Sequence, residues 1–291
     1  MRRSMLFLPG NIPNMLLNGA LLGSDGIIID LEDAVSPDEK DAARLLVCNL
    51  MGTLDFRGCE VVIRINSIGT PYWQEDLDAV VPQKPNAIMP PKVNSGDDVH
   101  IISAYIEKIE REKGLVPGKI GIVPLLETAL GIENAFAIAL SDKRVTALYL
   151  GAEDLTADLH CKRTRNGGEI LYARSRLVNA ARAAKIEAYD TPFTAIDDEE
   201  GLLADTELAK SLGYSGKTAI SPRQIPVINR IFNPSEEDVE YAQSVFRAIE
   251  NARTRGKGVV SLNGKMIDAP IVERARQVLE AAGLPAGLKN E

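Results

Sequence analysis

The sequence predicts an α/β protein in which parallel strands close into a (β/α)8 barrel, followed by a C-terminal helix-hairpin-helix extension. Three observations predict it. Eight short apolar runs each end in a polar or charged residue, segments of helical periodicity lie between them, and no internal repeat competes with that alternation. At 291 residues the chain exceeds the usual barrel length of about 250, which leaves room for an appendage but hardly for a second large domain.

The first four runs are Met5-Leu6-Phe7-Leu8 before Pro9-Gly10, Ile27-Ile28-Ile29 before Asp30 and Glu32, Val61-Val62-Ile63 before Arg64, and Ala87-Ile88-Met89 before Lys92. The next four are Ile120 to Leu126 before Glu127, Ala147 to Leu150 before Glu153 and Asp154, Glu187-Ala188-Tyr189 before Asp190, and Thr218-Ala219-Ile220 before Ser221. Runs this short and apolar suit strands buried on both faces of a parallel sheet. Val99 to Glu112 and Leu171 to Lys185 carry helical periodicity, and strands alternating with helices imply right-handed crossovers. In such a barrel the C-terminal strand ends form the rim that carries chemistry.

Past Asn233-Pro234 the pattern changes. Ser235 and Asp238 have capping-box spacing, and Val239, Ala242, Phe246 and Ile249 mark one face of a helix expected to close the barrel. Arg253 to Gly258 reads as its frayed end and a linker. Val259 to Leu262 and Lys265 to Ile267 flank Asn263-Gly264, a tight-turn dipeptide, and Asp268, Ala269 and Pro270 open a last helix running through Leu279. Residues 1–233 are therefore read as the barrel and 234–291 as the extension. An isolated hairpin is marginal in water, so the tail is expected to pack on an adjacent subunit of a homo-oligomer.

Composition narrows the function classes. Hydrophobic content of 45% and charged content of 25% are ordinary for a globular protein, and a net charge of −8 argues against nucleic-acid or membrane-surface partners. No segment approaches membrane-spanning length, and the apolar stretch after the N-terminal arginines is too short for a signal peptide, so a cytoplasmic location is expected. Cys48, Cys59 and Cys161 lack the spacing of a zinc site or a disulfide framework. His100 and His160 both lie away from strand ends, which sets histidine chemistry aside.

What remains is acidic. Glu127 and Asp154 end successive predicted strands, which places two hard oxygen ligands on one rim in an arrangement that suits Mg²⁺; each could instead cap a helix or pair with a base. Alternation in Val62-Ile63-Arg64-Ile65 puts Arg64 opposite the two isoleucines, where its guanidinium could capture a carboxylate, stabilise an oxyanion, or pair with Asp30 or Glu32. Glu32 is the candidate for orienting metal-bound water. Pro9, Gly10 and Lys92, at two further strand ends, are candidate substrate contacts. Lys162, Arg163 and Arg165, ahead of Gly167-Gly168, form a basic loop that could grip phosphates or simply be solvated. Gly213 to Thr218 imitates the end of a phosphate-binding loop, but Ser211 stands where that motif needs glycine and an apolar strand follows, so nucleotide hydrolysis is rejected.

Several motifs at ordered spacing resemble the citrate lyase β-subunit family, within the wider HpcH/HpaI aldolase-like group that includes malyl-CoA and citramalyl-CoA lyases. They are Arg3 to Gly10, Asp30-Leu31-Glu32-Asp33-Ala34, Val62 to Asn66, Gly151-Ala152-Glu153-Asp154 and Val259 to Asp268. The resemblance implies the same barrel, Mg²⁺ held by Glu127 and Asp154, and substrate contacts from Arg64 and Glu127. It implies cleavage of a citryl thioester, carried by an acyl carrier protein or coenzyme A, into oxaloacetate and the acetyl thioester, with carrier and transferase subunits as partners. Asp268 is the candidate acid/base for the departing enolate, although it could equally cap the last helix. Relatives acting on free coenzyme A thioesters commonly carry His-Pro where this chain has Ser221-Pro222, which mildly favours the citrate lyase branch of the group. A stand-alone malyl-CoA or citramalyl-CoA lyase is the nearest alternative, and a non-catalytic scaffold subunit is the second.

Overall fold

The computed structural model describes residues 2–56, 58–254, 261–262 and 265–285. Close packing divides the chain into two compact units, Arg2–Arg230 and a second that starts at Ile231.

Nine parallel strands build the first unit: β1 (Ser4–Pro9), β2 (Gly26–Asp30), β3 (Glu60–Arg64), β4 (Ala87–Met89), β5 (Gly121–Ile122), β6 (Leu125–Leu126), β7 (Ala147–Leu150), β8 (Glu187–Asp190) and β9 (Gly216–Ala219). Their order is β5-β4-β3-β2-β1-β9-β8-β7-β6, so the two edges of the sheet are halves of the single predicted run Ile120 to Leu126. Pro124 interrupts that run because it has no N–H to donate. The interruption still bonds both neighbours: the Val123 N–H donates to Ile88 O at 2.9 Å, and Pro124 O accepts from the Tyr149 N–H at 3.0 Å. The sheet is therefore curled and barrel-like, and all eight predicted runs are strands within it.

Between the strands lie α1 (Pro13–Asn18), α2 (Lys40–Thr53), α3 (Trp73–Val80), α4 (Gly96–Glu112), α5 (Ala129–Glu133), α6 (Ala135–Leu140), α7 (Ala152–Asp158), α8 (Leu171–Ala183), α9 (Glu199–Leu212) and α10 (Ile225–Phe232). Local sequence explains α4 well. Ser95 and Asp98 form a reciprocal capping box at its start, and Val99, Ile102, Ile106 and Ile109 bury one face. None of the described helices is long and apolar enough to cross a membrane.

Strand parity sorts the side chains. Met5, Ile28, Val62, Ala87, Met89, Val123, Leu125, Ala147, Tyr149 and Tyr189 pack into one interior cluster, with Phe7 against it. Their neighbours of opposite parity, among them Leu6, Ile27, Ile29, Ile63, Ile88 and Leu148, are buried on the other face of the sheet. Asp190 and Lys217 share that outer parity and meet α8 and α9 in a closed ion network. Asp190 accepts from Arg174 Nε at 2.9 Å and from Lys217 Nζ at 2.6 Å, and Asp205 accepts from Arg174 Nη2 and from Lys217 Nζ, both at 2.6 Å. The lysine of the false phosphate loop is thus a wholly buried structural cation.

In the second unit α11 (Glu236–Thr254) starts with Ser235 and Asp238 bonded reciprocally, as their spacing predicts. Its apolar face packs on α12 (Ala269–Ala281): Ala242, Val245 and Phe246 form one core with Ala275 and Leu279. The helix that follows the last barrel strand is α10. Strands β10 (Ser261–Leu262) and β11 (Lys265–Met266) pair antiparallel. The predicted linker from Arg255, Val259-Val260 and the Asn263-Gly264 turn lie outside the described residues.

Candidate active site

The parity that fills the interior also selects what emerges at its C-terminal mouth. Two residues beyond Ile28, Val62, Leu125, Tyr149 and Tyr189 stand Asp30, Arg64, Glu127, Gly151 and Thr191, and all five line one cavity of about 450 Å³. Pro9, Asp154, Pro192, Thr218 and Ile220 line it as well. Residues from seven separated stretches of sequence meet there because the strands that carry them are parallel and neighbours in the sheet.

Arg64 is fixed before any ligand arrives. Its Nε and Nη2 donate to the two oxygens of Asp30 at 2.7 and 2.5 Å, and its Nη1 lies 3.0 Å from Glu32 Oε2. Asp30 is itself held by the backbone N–H groups of Glu32 (2.8 Å) and Ala34 (3.0 Å), while the guanidinium stands 5.3 Å over the Phe7 ring. Burial disfavours the arginine charge, but the Asp30 hydrogen bonds and the nearby carboxylates outweigh it, so the group is held more firmly cationic than usual. A planar donor locked in place beside a cavity costs no reorganisation when charge develops next to it.

Glu127 is a buried acid of the site, 3% exposed; Asp30 and Glu32 are also buried. Its Oε1 accepts the Lys92 N–H at 2.8 Å. Burial first, then the charges of Asp154 and Glu32, push its carboxyl up to about 8. Gly151 makes its placement possible, since a Cβ there would lie 2.5 Å from Glu127 Oε2. Asp154 sits in the first turn of α7, where the helix dipole favours an acid, and its side chain is 40% exposed. Lys92 bridges these groups, its Nζ lying 2.8 Å from Glu32 Oε1 and 3.5 Å from Asp154 Oδ2.

Among the described residues no three His, Cys, Asp or Glu side chains form a ready-made metal cage. The donor set nevertheless fits Mg²⁺, which commonly takes one or two protein carboxylates and fills its remaining positions with water and substrate oxygens. Two further observations agree. Glu127 is burdened by neighbouring negative charge that a cation would relieve, and the buried Glu32 Oε2 makes no hydrogen bond among the described residues beyond its ion pair with Arg64 Nη1.

The structure thus brings together Pro9, Arg64, Glu127 and Asp154, with Glu32 and Lys92 tied to them by ion pairs. Gly10 is placed differently. Its N–H donates to Asp30 O at 2.8 Å, and a Cβ would come within 2.6 Å of that oxygen, so this residue locks β1 to β2 behind the mouth. Arg163 is engaged by Glu153 at 3.1 Å and Glu169 at 2.6 Å, and Arg165 by Asp198 at 2.6 Å. Asp268 belongs to the second unit, where its side chain accepts the Ile271 N–H at 3.1 Å and caps α12. Sequence reasoning passed over Asp33, Phe7, Thr191, Pro192 and Thr218 as cavity-lining residues. Counting two residues past each interior apolar position would have found Thr191.

The profile of the HpcH/HpaI aldolase/citrate lyase family matches residues 3–222. The citrate lyase subunit beta of Leuconostoc mesenteroides subsp. cremoris is 43% identical over 282 residues, covering 97% of this chain and 93% of the relative. An L-malyl-CoA/beta-methylmalyl-CoA lyase of Cereibacter sphaeroides is 32% identical over 300 residues, covering 96% and 94%. Among solved structures, the protein CitE of Mycobacterium tuberculosis in complex with magnesium, acetoacetate and coenzyme A superposes with a TM-score of 0.78 at 30% identity, covering 97% of this chain and 98% of that one.

Proposed function

This chain belongs to the HpcH/HpaI aldolase/citrate lyase family, and from that premise we propose that it is a Mg²⁺-dependent carbon–carbon lyase cleaving a citryl thioester to oxaloacetate and the acetyl thioester. The observation that carries it is Glu127 and Asp154 lining one cavity with a pre-fixed Arg64, in a chain 43% identical to a citrate lyase β subunit. The catalytic unit is a (β/α)8 barrel, with residues 234–291 as an extension.

Cleavage passes the proton of the tertiary hydroxyl to a carboxylate base, Asp268 in this assignment, breaks the adjacent C–C bond to leave a keto acid, and moves the electron pair onto the thioester carbonyl as an enolate, which takes that proton back to become the acetyl thioester. Glu127 and Asp154 would hold Mg²⁺, which when bound supplies Lewis-acid polarisation of the substrate hydroxyl and its carboxylate. Arg64 faces the oxyanion that forms as the bond breaks, and its two-point hydrogen bond to Asp30 holds the guanidinium in place beside it. Glu32 steadies the guanidinium and the Lys92 ammonium from the opposite side and orients water near the cation. Pro9, which lines the cavity, and Lys92 would contact the thioester, whereas Gly10 locks β1 to β2 and Arg163 is held by Glu153 and Glu169. Asp268 is the acid assigned to protonate the enolate, brought by the tail of a second copy of the chain in a homo-oligomer, and the helix cap it makes keeps its carboxylate oriented.

The carrier is assigned as an acyl carrier protein within a complex that also holds a transferase subunit. The similarity to a malyl-CoA lyase supports the alternative of a free coenzyme A substrate. Turnover of purified protein on citryl-CoA and malyl-CoA, with and without Mg²⁺, separates them: citryl cleavage that depends on Mg²⁺ is expected, malyl-CoA preference would establish the alternative, and inactivity on both would leave a scaffold role.

Arg64→Lys keeps the charge and loses the two-point fork to Asp30. Turnover at saturating substrate is expected to fall about 100-fold. A change confined to KM would show that Arg64 holds only the ground state.

A further inference from the structure

Lys92 follows Pro90-Pro91 and adopts a φ of +54°, a left-handed backbone that residues with a Cβ rarely take. That conformation aims the residue in two directions at once. Its N–H points at Glu127 Oε1, and its stem carries the ammonium to within 2.8 Å of Glu32, 3.5 Å of Asp154 and 3.8 Å of Asp33. Asp30 engages Arg64 at two points and Glu32 is shared between Arg64 and Lys92, so Lys92 is the cation nearest Asp33 and Asp154. The ammonium is a compact charge on a flexible stem, and its side chain is 38% exposed.

We propose that Lys92 is a built-in counter-cation: its ammonium neutralises the carboxylate cluster in the metal-free protein and is displaced toward the mouth when a divalent cation binds Glu127 and Asp154. It is thus a positioning residue that sets cation affinity. The inference rests on Glu127 and Asp154 holding the metal. An ammonium beside the Asp154 carboxylate and a divalent ion on that same carboxylate repel each other, so each weakens the other's hold on the acids. The strained backbone stays put during the exchange, because its N–H remains on Glu127 while only the stem moves.

Two variants separate the ammonium from the backbone. Lys92→Met removes the charge and keeps the left-handed strain. Lys92→Gly removes the charge, relieves the strain and retains the N–H to Glu127. Mg²⁺ affinity by titration calorimetry and thermal midpoints in EDTA and in Mg²⁺ are the readouts. Both variants are expected to bind Mg²⁺ about 10-fold more tightly than wild type, and to gain more in midpoint from Mg²⁺ than wild type does. Lys92→Arg should stay within a few-fold of wild type. Unchanged or weaker affinity in Lys92→Gly, with wild type binding normally, overturns this inference alone. Absence of Mg²⁺ binding in wild type overturns it together with the metal assignment.

Discussion

Glu127→Gln is expected to lower turnover by about a thousandfold, with Mg²⁺ affinity falling alongside it. The magnitude follows from burial. Glu127 is almost wholly enclosed, so a lost charge there cannot be made good by solvent, and the amide still accepts the Lys92 N–H that positions it. Asp154→Asn should cost less, about 10- to 100-fold, because a side chain 40% exposed can be replaced by water as a ligand. Steady-state kinetics across Mg²⁺ concentrations test both, and circular dichroism should show an intact fold, since neither side chain fills the core. Near-normal turnover and Mg²⁺ affinity in Glu127→Gln would remove the metal assignment.

The second large effect concerns stability. Asp190→Asn is expected to destabilise the protein by about 3–5 kcal/mol, lowering the thermal midpoint by about 10 °C. Arg174, Asp190, Asp205 and Lys217 are all buried, and removing one anion leaves two enclosed cations facing one carboxylate. Burial disfavours the Asp190 charge, but Lys217 and Arg174 overcome that and hold the carboxyl below its usual range. An acid with a depressed folded pKa stabilises the protein above its unfolded value of about 3.9 and loses that contribution as pH falls further. Wild type should therefore lose stability as pH drops below about 4, and Asp190→Asn should show a shallower slope there. Urea unfolding at a series of pH values measures both. A cost under about 1 kcal/mol would mean the network is compensated elsewhere. Activity should suffer as well, because Lys217 Nζ also holds Thr191 O at 2.7 Å, and Thr191 lines the active cavity.

Much of this was legible in the chain because its signals are local. An apolar run of three to seven residues, the helical period of Val99 to Glu112, and the alternation around Arg64 depend on near neighbours, and each fixes an element or a facing direction without help from the rest of the fold. The resemblance of the rim motifs supplied the reaction class that periodicity could not. The apolar face of α11 is where its period puts it, but that period does not say what covers it, and packing gives it to α12.

By itself, then, the sequence determined the alternation of strands and helices, the face that Arg64 takes opposite Ile63 and Ile65, the strand-end place of Glu127, and the acidic character of the rim, because a period of two and a terminal polar residue are properties of contiguous chain. Only the tertiary structure decided which charges meet. It gave Arg64 to Asp30, set Lys92 among Glu32, Asp33 and Asp154, enclosed Lys217 between Asp190 and Asp205, matched Arg163 and Arg165 with acids, and left room for Glu127 against Gly151. Ion pairs act across space between residues from 6 to 62 positions apart here, and their strength depends on burial, so neither the pairing nor its consequence can be read along the chain.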